Sequence, residues 1–140
     1  MRLSTRGRYA VRSMVDLAYH SEKLPISLSE ISKRQDISLH YLEQLYVKLR
    51  KARLVKSVRG PGGGYLLAKK SNNISIKDIL LAVNENMYPV QCISVKDFCD
   101  RIDRCVTRLV WKKLGDQIHK FFESITLKDL SEEYDKILKR

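Results

Sequence analysis

The three cysteines of this 140-residue chain, Cys92, Cys99 and Cys105, fall in one short stretch with the pattern C-x6-C-x5-C. A thiolate is a soft metal ligand, a nucleophile and a redox centre, and each role makes its own demand on spacing. A disulfide framework uses cysteines in pairs in small secreted domains. Three thiols do not make one. Structural zinc knuckles use Cys-x2-Cys, which is missing, although a zinc site of three cysteines and one other ligand stays open. An iron–sulfur cluster takes thiolates converging from a flexible loop, and its size suits widely spaced ligands. Unrelated buried cysteines behave as small hydrophobes. The spacing leaves cluster, zinc and buried thiol all open.

Segment 86 to 105, which carries the thiols, has no apolar periodicity, so the elements on either side must hold it. Before it, Ser75-Ile76-Lys77-Asp78 reads as a capping box opening a helix with Ile76, Ile79, Leu80 and Val83 turned inward. After it, Leu109, Val110, Leu114, Ile118, Phe121, Phe122 and Ile125 recur at coiled-coil-like spacing over 106 to 125. The region ahead has a core of its own, so this stripe is expected to be a dimer seam. Thr126 caps a short last helix, and the tail EEYDKILKR is expected to fray.

The N-terminal half predicts three helices. Tyr9, Ala10, Val11, Met14, Val15, Leu17 and Ala18 give a helix over about 5 to 21. Ser27-Leu28-Ser29-Glu30 reads as a capping box for a second, ending near Arg34. Ser38 caps a third, with Leu39, Leu42, Leu45 and Leu49 as its apolar stripe. A hairpin follows, residues 54 to 59 against 65 to 68. Its tip packs four of the chain's six glycines and one of its three prolines into residues 60 to 64. A nucleotide-binding P-loop needs Gly-Lys-[Ser/Thr] after its glycines. Here Tyr65, Leu66 and Leu67 follow Gly64, which argues against nucleotide hydrolysis. Two helices, a short turn and a basic hairpin make a winged helix-turn-helix.

The expected fold is therefore mainly α with a small β-hairpin: a winged helix-turn-helix region over 1–72, a linking helix and three-cysteine loop over 73–105, and a long dimerisation helix with its tail over 106–140. No run approaches membrane-spanning length and no signal-peptide core is present, so a soluble cytoplasmic protein without a membrane partner is expected.

Charge locates a partner. Of the net charge of +11, residues 1 to 70 hold +10, with 15 Lys/Arg against 5 Asp/Glu. A localised excess of that size suits double-stranded DNA. On the third helix Ser38, His40, Tyr41, Glu43, Gln44 and Lys48 lie off the leucine stripe and are candidates for the major groove. Gln44 suits adenine, and Glu43 suits a cytosine amine or is simply a solvated carboxylate. In the wing, Arg59, Gly60 and Pro61 suit a narrow minor groove or the backbone. Arg6, Lys33, Arg50, Lys51 and Lys56 are phosphate contacts or plain surface charge. No nucleophile and base pair stands out, so an enzyme is not expected. An iron–sulfur electron carrier is disfavoured because the basic excess lies away from the cysteines. A basic interaction module without sequence preference predicts equal affinity for any duplex.

The stretches MRLSTRGRYAV, ISLHYLEQLYVKLRKARLVKSVRGPGGGYLLAK and CVTRLVWKKLGDQIHKFFESITLKDL resemble the IscR-type regulators of the Rrf-two family. The likeness spans nearly the whole chain and implies a homodimeric winged-helix transcription factor binding operator DNA. It implies Cys92, Cys99 and Cys105 as ligands of an iron–sulfur cluster, 2Fe–2S favoured over 4Fe–4S. The family also includes members that regulate cysteine metabolism and bind no cluster, which keeps thiol or zinc sensing as the alternative. The chain departs from the pattern at the fourth ligand. Arg108 stands where IscR-type proteins have a histidine, and Arg8 stands where nitric-oxide-sensing relatives have an aspartate. Arginine is always charged and is no metal ligand. His40 replaces the serine of IscR-type proteins.

Overall fold

The computed structural model describes residues 2–140. Helix α1 (Thr5–His20) starts where the Ser4 hydroxyl accepts from the Gly7 amide, and it buries Ala10, Met14 and Leu17 along one face. The helix-turn-helix is α2 (Leu28–Gln35) followed by α3 (Leu39–Lys51), with Asp36 in the left-handed region (φ 52°) making the turn. Ser27 caps α2 by accepting from the Glu30 amide. The expected capping box is only half formed. Glu30 turns its carboxylate to Arg34 Nη1 at 3.6 Å, because a cation one turn on competes for it.

Ser38 caps α3 as expected, accepting from the Tyr41 amide. The buried stripe differs from the leucine count. Leu42, Leu45, Tyr46 and Leu49 are enclosed, while Leu39 is 40% exposed at the first helical position. Tyr46 fills the core edge-on to Tyr65, with centroids 5.1 Å apart. Its hydroxyl is buried and makes no well-formed hydrogen bond, its polar neighbour being the Ser13 hydroxyl, which donates instead to the Ala10 carbonyl. Removing an unsatisfied polar atom while keeping the ring leaves packing intact, so Tyr46→Phe should hold or raise stability by up to about 1 kcal/mol in a urea titration. A loss larger than that would show that the hydroxyl has a partner in solution.

The wing is strand β1 (Val55–Val58) antiparallel to β2 (Gly64–Leu67), with Val55 opposite Leu67 and Val58 opposite Gly64. Ile26 adds a third rung: its amide donates to the Tyr65 carbonyl at 3.0 Å, and the Tyr65 amide donates back to the Ile26 carbonyl at 2.8 Å. The hairpin is thus sewn to the segment just ahead of α2.

Helix α4 (Ile76–Ala82) opens with a complete Ser75–Asp78 capping box. The cysteine segment holds one helical turn, α5 (Gln91–Ser94), and a 3-10 turn at Ile102–Arg104. Helix α6 (Thr107–Ser124) and helix α7 (Leu127–Leu138) follow, the second opened by a Thr126–Asp129 capping box. Backbone bonds from Ile76 N to Ile125 O and from Leu127 N to Ile74 O, both 2.9 Å, lock the α6–α7 junction to the start of α4.

Two expectations about the C-terminus need correction. The tail does not fray but forms α7, docked on α1. Leu127 is fully buried, Leu130 packs against the core, Tyr134 stacks edge-on to Tyr19 at 5.1 Å, and the Tyr19 hydroxyl donates to Asp135 at 2.7 Å. The α6 stripe also splits in two. Ile118, Phe122 and Ile125 pack on the core, whereas Leu109, Val110, Leu114 and Phe121 are exposed. No helix among the described residues is long and apolar enough to cross a membrane.

Candidate nucleic-acid interface and cysteine loop

The N-terminal turns of α3 show Ser38, His40, Glu43 and Gln44 to solvent, while Tyr41 and Lys48 are half-buried. Tyr41 is set edge-on to Tyr9 of α1, with ring centroids 6.0 Å apart, and the Arg12 guanidinium lies over the Tyr9 ring at 4.7 Å. Gln44 Nε2 and His40 Nε2 are hydrogen-bonded at 3.1 Å. Arg59, Gly60 and Pro61 are exposed at the wing tip, where the Gly63 amide donates to the Gly60 carbonyl and closes the turn. The helix residues and the wing residues therefore form two separate groups on the basic half of the chain.

What orients α2 and α3 was not read from the sequence. Asp16 is fully buried on α1 and takes a two-pronged contact from Arg34, with Nε to Oδ2 at 3.0 Å and Nη2 to Oδ1 at 2.8 Å. Gln35 Nε2 adds a bond at 2.8 Å to the same carboxylate, and Arg12 Nη2 caps the end of α2 by donating to the Gln35 carbonyl at 2.6 Å. The Asp16 hydrogen bonds push the Arg34 guanidinium's ionisation further up, against the opposing effect of burial.

The cysteine loop leaves the fold at another buried acid. Glu85 accepts from the Ser4 amide at 2.9 Å and from the Ser4 hydroxyl, and Arg6 stands 3.8 Å away. The loop's first residues are thereby fixed to the start of α1. A glycine inside a helix, Gly7, was the available signal: a Cβ there would lie 2.7 Å from Glu85 Oε2.

All three cysteines are free; Cys92 and Cys105 are half-buried and Cys99 is exposed. Cys92 sits in the single turn of α5. The Arg101 amide donates to Cys99 Sγ at 3.5 Å. Cys105 lies two residues ahead of α6, its sulfur 3.1 Å from Thr107 Oγ1. Its thiol titrates below the ordinary value, chiefly through the Thr107 hydroxyl and then the Arg108 amide. Among the described residues no three Cys, His, Asp or Glu side chains stand close enough together to hold one metal ion. The loop carries three thiols without gathering them. As a donor set, three thiols free of disulfides on an irregular segment fit a cluster's demand for soft ligands. Arg108, half-buried, adds no donor.

A basic helix-turn-helix with the exposed polar side of α3 outward and a hairpin sewn beside it is the winged-helix architecture that DNA-binding transcriptional regulators use. The chain belongs to the Rrf2 family, described as iron-dependent transcriptional regulators, whose pattern matches residues 3–133. It is 49% identical over 130 residues to the HTH-type transcriptional regulator IscR of Pectobacterium atrosepticum, covering 93% of this chain and 79% of the relative. The corresponding protein of Sodalis glossinidius is 50% identical, with 93% and 78% covered. Among solved structures, T. potens IscR superposes with a TM-score of 0.80 at 42% identity, covering 98% of this chain and 90% of that one. CymR, the global cysteine regulator of B. subtilis, superposes with 0.79 at 34% identity, covering 95% and 98%.

Proposed function

We propose that this IscR-type regulator is a homodimer that reads a double-stranded operator and whose DNA affinity is set by an iron–sulfur cluster on Cys92, Cys99 and Cys105. The observation that carries the reading is the placement of all three thiols in the one segment joining the winged region to α6, anchored at Glu85 and Ser4 on one side and at the first turn of α6 on the other. When bound, the cluster supplies an oxidant-sensitive cross-link between thiolates otherwise spread along the loop. The residues that would hold it lie between those two anchors. One is the cap of α1, the helix that holds α2 through Asp16. The other is the helix whose exposed Leu109, Val110, Leu114 and Phe121 face the second protomer. Gln44 and Glu43 read bases, Arg59 enters the minor groove, Ser38, Tyr41, Lys48, Gly60 and Pro61 complete the contact surface, and His40 stands beside Gln44.

Anaerobic purification tests the cluster directly, by absorption spectrum and by iron and acid-labile sulfide content. Coloured protein with matched iron and sulfide is expected, and both should vanish in Cys92→Ala. A 2Fe–2S centre is the favoured form. A second reading is supported by the likeness to the cysteine regulator CymR: the same DNA reader sensing thiol state or zinc with no cluster. Colourless protein after anaerobic reconstitution, with operator affinity that responds to oxidant or to zinc chelation, would establish that reading instead.

A further inference from the structure

The hydrogen bond between Gln44 and His40 constrains what Gln44 can read. Its two heavy atoms are Gln44 Nε2 and His40 Nε2. With the amide oriented as it is here, its nitrogen faces the ring and donates, the imidazole Nε2 accepts, and the matching tautomer is the one with its proton on Nδ1. One of the two amide N–H groups is thereby used. What remains for a ligand is one N–H and the carbonyl Oε1, a donor beside an acceptor. Adenine presents its complement in the major groove, the N7 acceptor beside the N6 amino donor. Guanine presents two acceptors, N7 and O6, and would need both amide N–H groups; with one engaged, Oε1 faces O6 and repels it.

We infer that His40 is a positioning residue that holds the Gln44 amide in the orientation selecting adenine over guanine. The two residues are one helical turn apart and both are exposed, so the pair can form without disturbing the core. Without the imidazole acceptor the amide is free to turn over and offer both N–H groups, so guanine is no longer penalised. The inference rests on the proposed role of α3 as the base-reading helix, and the experiment separates the two.

The full chain first selects a preferred duplex from a randomised pool. Affinities for that duplex and for its single A·T to G·C variants are then measured by fluorescence anisotropy at several salt concentrations. Gln44→Ala identifies the position at which adenine preference flattens. At that position His40→Ala should cut the adenine-over-guanine preference by roughly three- to tenfold, since an oriented bidentate contact supplies most of the discrimination there. Other positions and the salt slope should be unchanged. His40→Gln, which returns an acceptor oxygen at similar reach, should restore most of the preference. A phosphate-contacting or merely structural His40 gives a different pattern, in which His40→Ala weakens all duplexes alike, with a shallower salt slope in the phosphate case. That pattern, or full preference in His40→Ala, overturns the inference while leaving Gln44 as reader. If Gln44→Ala flattens no position, or the pool yields no preferred duplex, the base-reading assignment fails and takes the inference with it.

Discussion

Replacing Arg34 with methionine should destabilise the fold by about 2–3 kcal/mol, roughly 10 °C in melting temperature for a domain of this size. The cost comes from what is left behind. Asp16 has no exposed surface, and without the guanidinium it keeps only the Gln35 amide at 2.8 Å, with His20 Nε2 at 4.0 Å. A buried carboxylate without its counter-ion is among the most expensive groups a core can hold. The Arg34 side chain is 31% exposed, which places the loss at or just below the low end of the roughly 3–5 kcal/mol range for breaking a fully buried pair. The same wet edge predicts an asymmetry. Asp16→Ala strands a guanidinium that can still reach water and Glu30, so it should cost less, about 1–2 kcal/mol. The double variant Asp16→Leu with Arg34→Met should recover much of the loss, because apolar replacement of a buried pair is often close to neutral. Urea titrations of the three variants decide this. Equal losses in both single variants, with no recovery in the double, would mean that the contact is not stabilised in the way its burial implies. Operator affinity should fall with stability in Arg34→Met, since Arg34 and Gln35 are the tie between α2 and α1.

The Asp16–Arg34 pair also marks the limit of what could be read from the chain itself. Caps, apolar periodicity and the glycine cluster are local signals, and they were enough for the helix-turn-helix, the wing and the start of nearly every helix. An ion pair bridging 18 residues has no local signature, and Asp16 in the sequence is simply a polar residue between Val15 and Leu17. The half-formed box at Ser27 fails for a local reason: the Glu30 that should complete it is drawn to Arg34, one turn on. From sequence, the tail EEYDKILKR is expected to fray as chain ends commonly do. The helix's docking residues, Leu127, Leu130 and Tyr134, are spaced along one helical face and find their partners far away in the chain, among them Tyr19 of α1 and Ile74 ahead of α4. In α6 the stripe is a true helical stripe, but periodicity cannot say which part meets this chain's own core. Ile118, Phe122 and Ile125 do so because α6 crosses α4 near its C-terminal end. The cysteine cluster was legible as a constellation and illegible as a geometry: spacing gives the donor set, and an irregular loop gives no rule for where the donors point.

Gly64→Ala should be the most damaging single change in the wing, costing about 3 kcal/mol or more locally and lowering operator affinity by over tenfold. Two independent physical effects act there. Gly64 has φ +152°, which side-chain-bearing residues rarely adopt, and an added Cβ would lie 2.3 Å from the Ile26 carbonyl oxygen and 2.7 Å from the Ser27 nitrogen. Both neighbours are backbone, so neither can swing aside as a side chain would. Relief requires separating β2 from Ile26, which breaks the paired bonds between Ile26 and Tyr65 at 3.0 and 2.8 Å and frees the hairpin from the turn that leads into α2. A wing so detached pays ordering entropy each time it meets DNA. Gly62→Ala is the matched control: φ is +73° there, but nothing lies within 4 Å of an added Cβ, so only the left-handed backbone is penalised, at about 1–2 kcal/mol. Hydrogen exchange at the Tyr65 and Ile26 amides reads the difference without DNA. Protection at both should collapse in Gly64→Ala and persist in Gly62→Ala, while the amides of Leu45 and Leu49 in α3 keep theirs. Intact protection at Ile26 and Tyr65 in Gly64→Ala would mean that the hairpin accommodates the methyl by sliding, and that the Ile26 rung does not hold the wing in place.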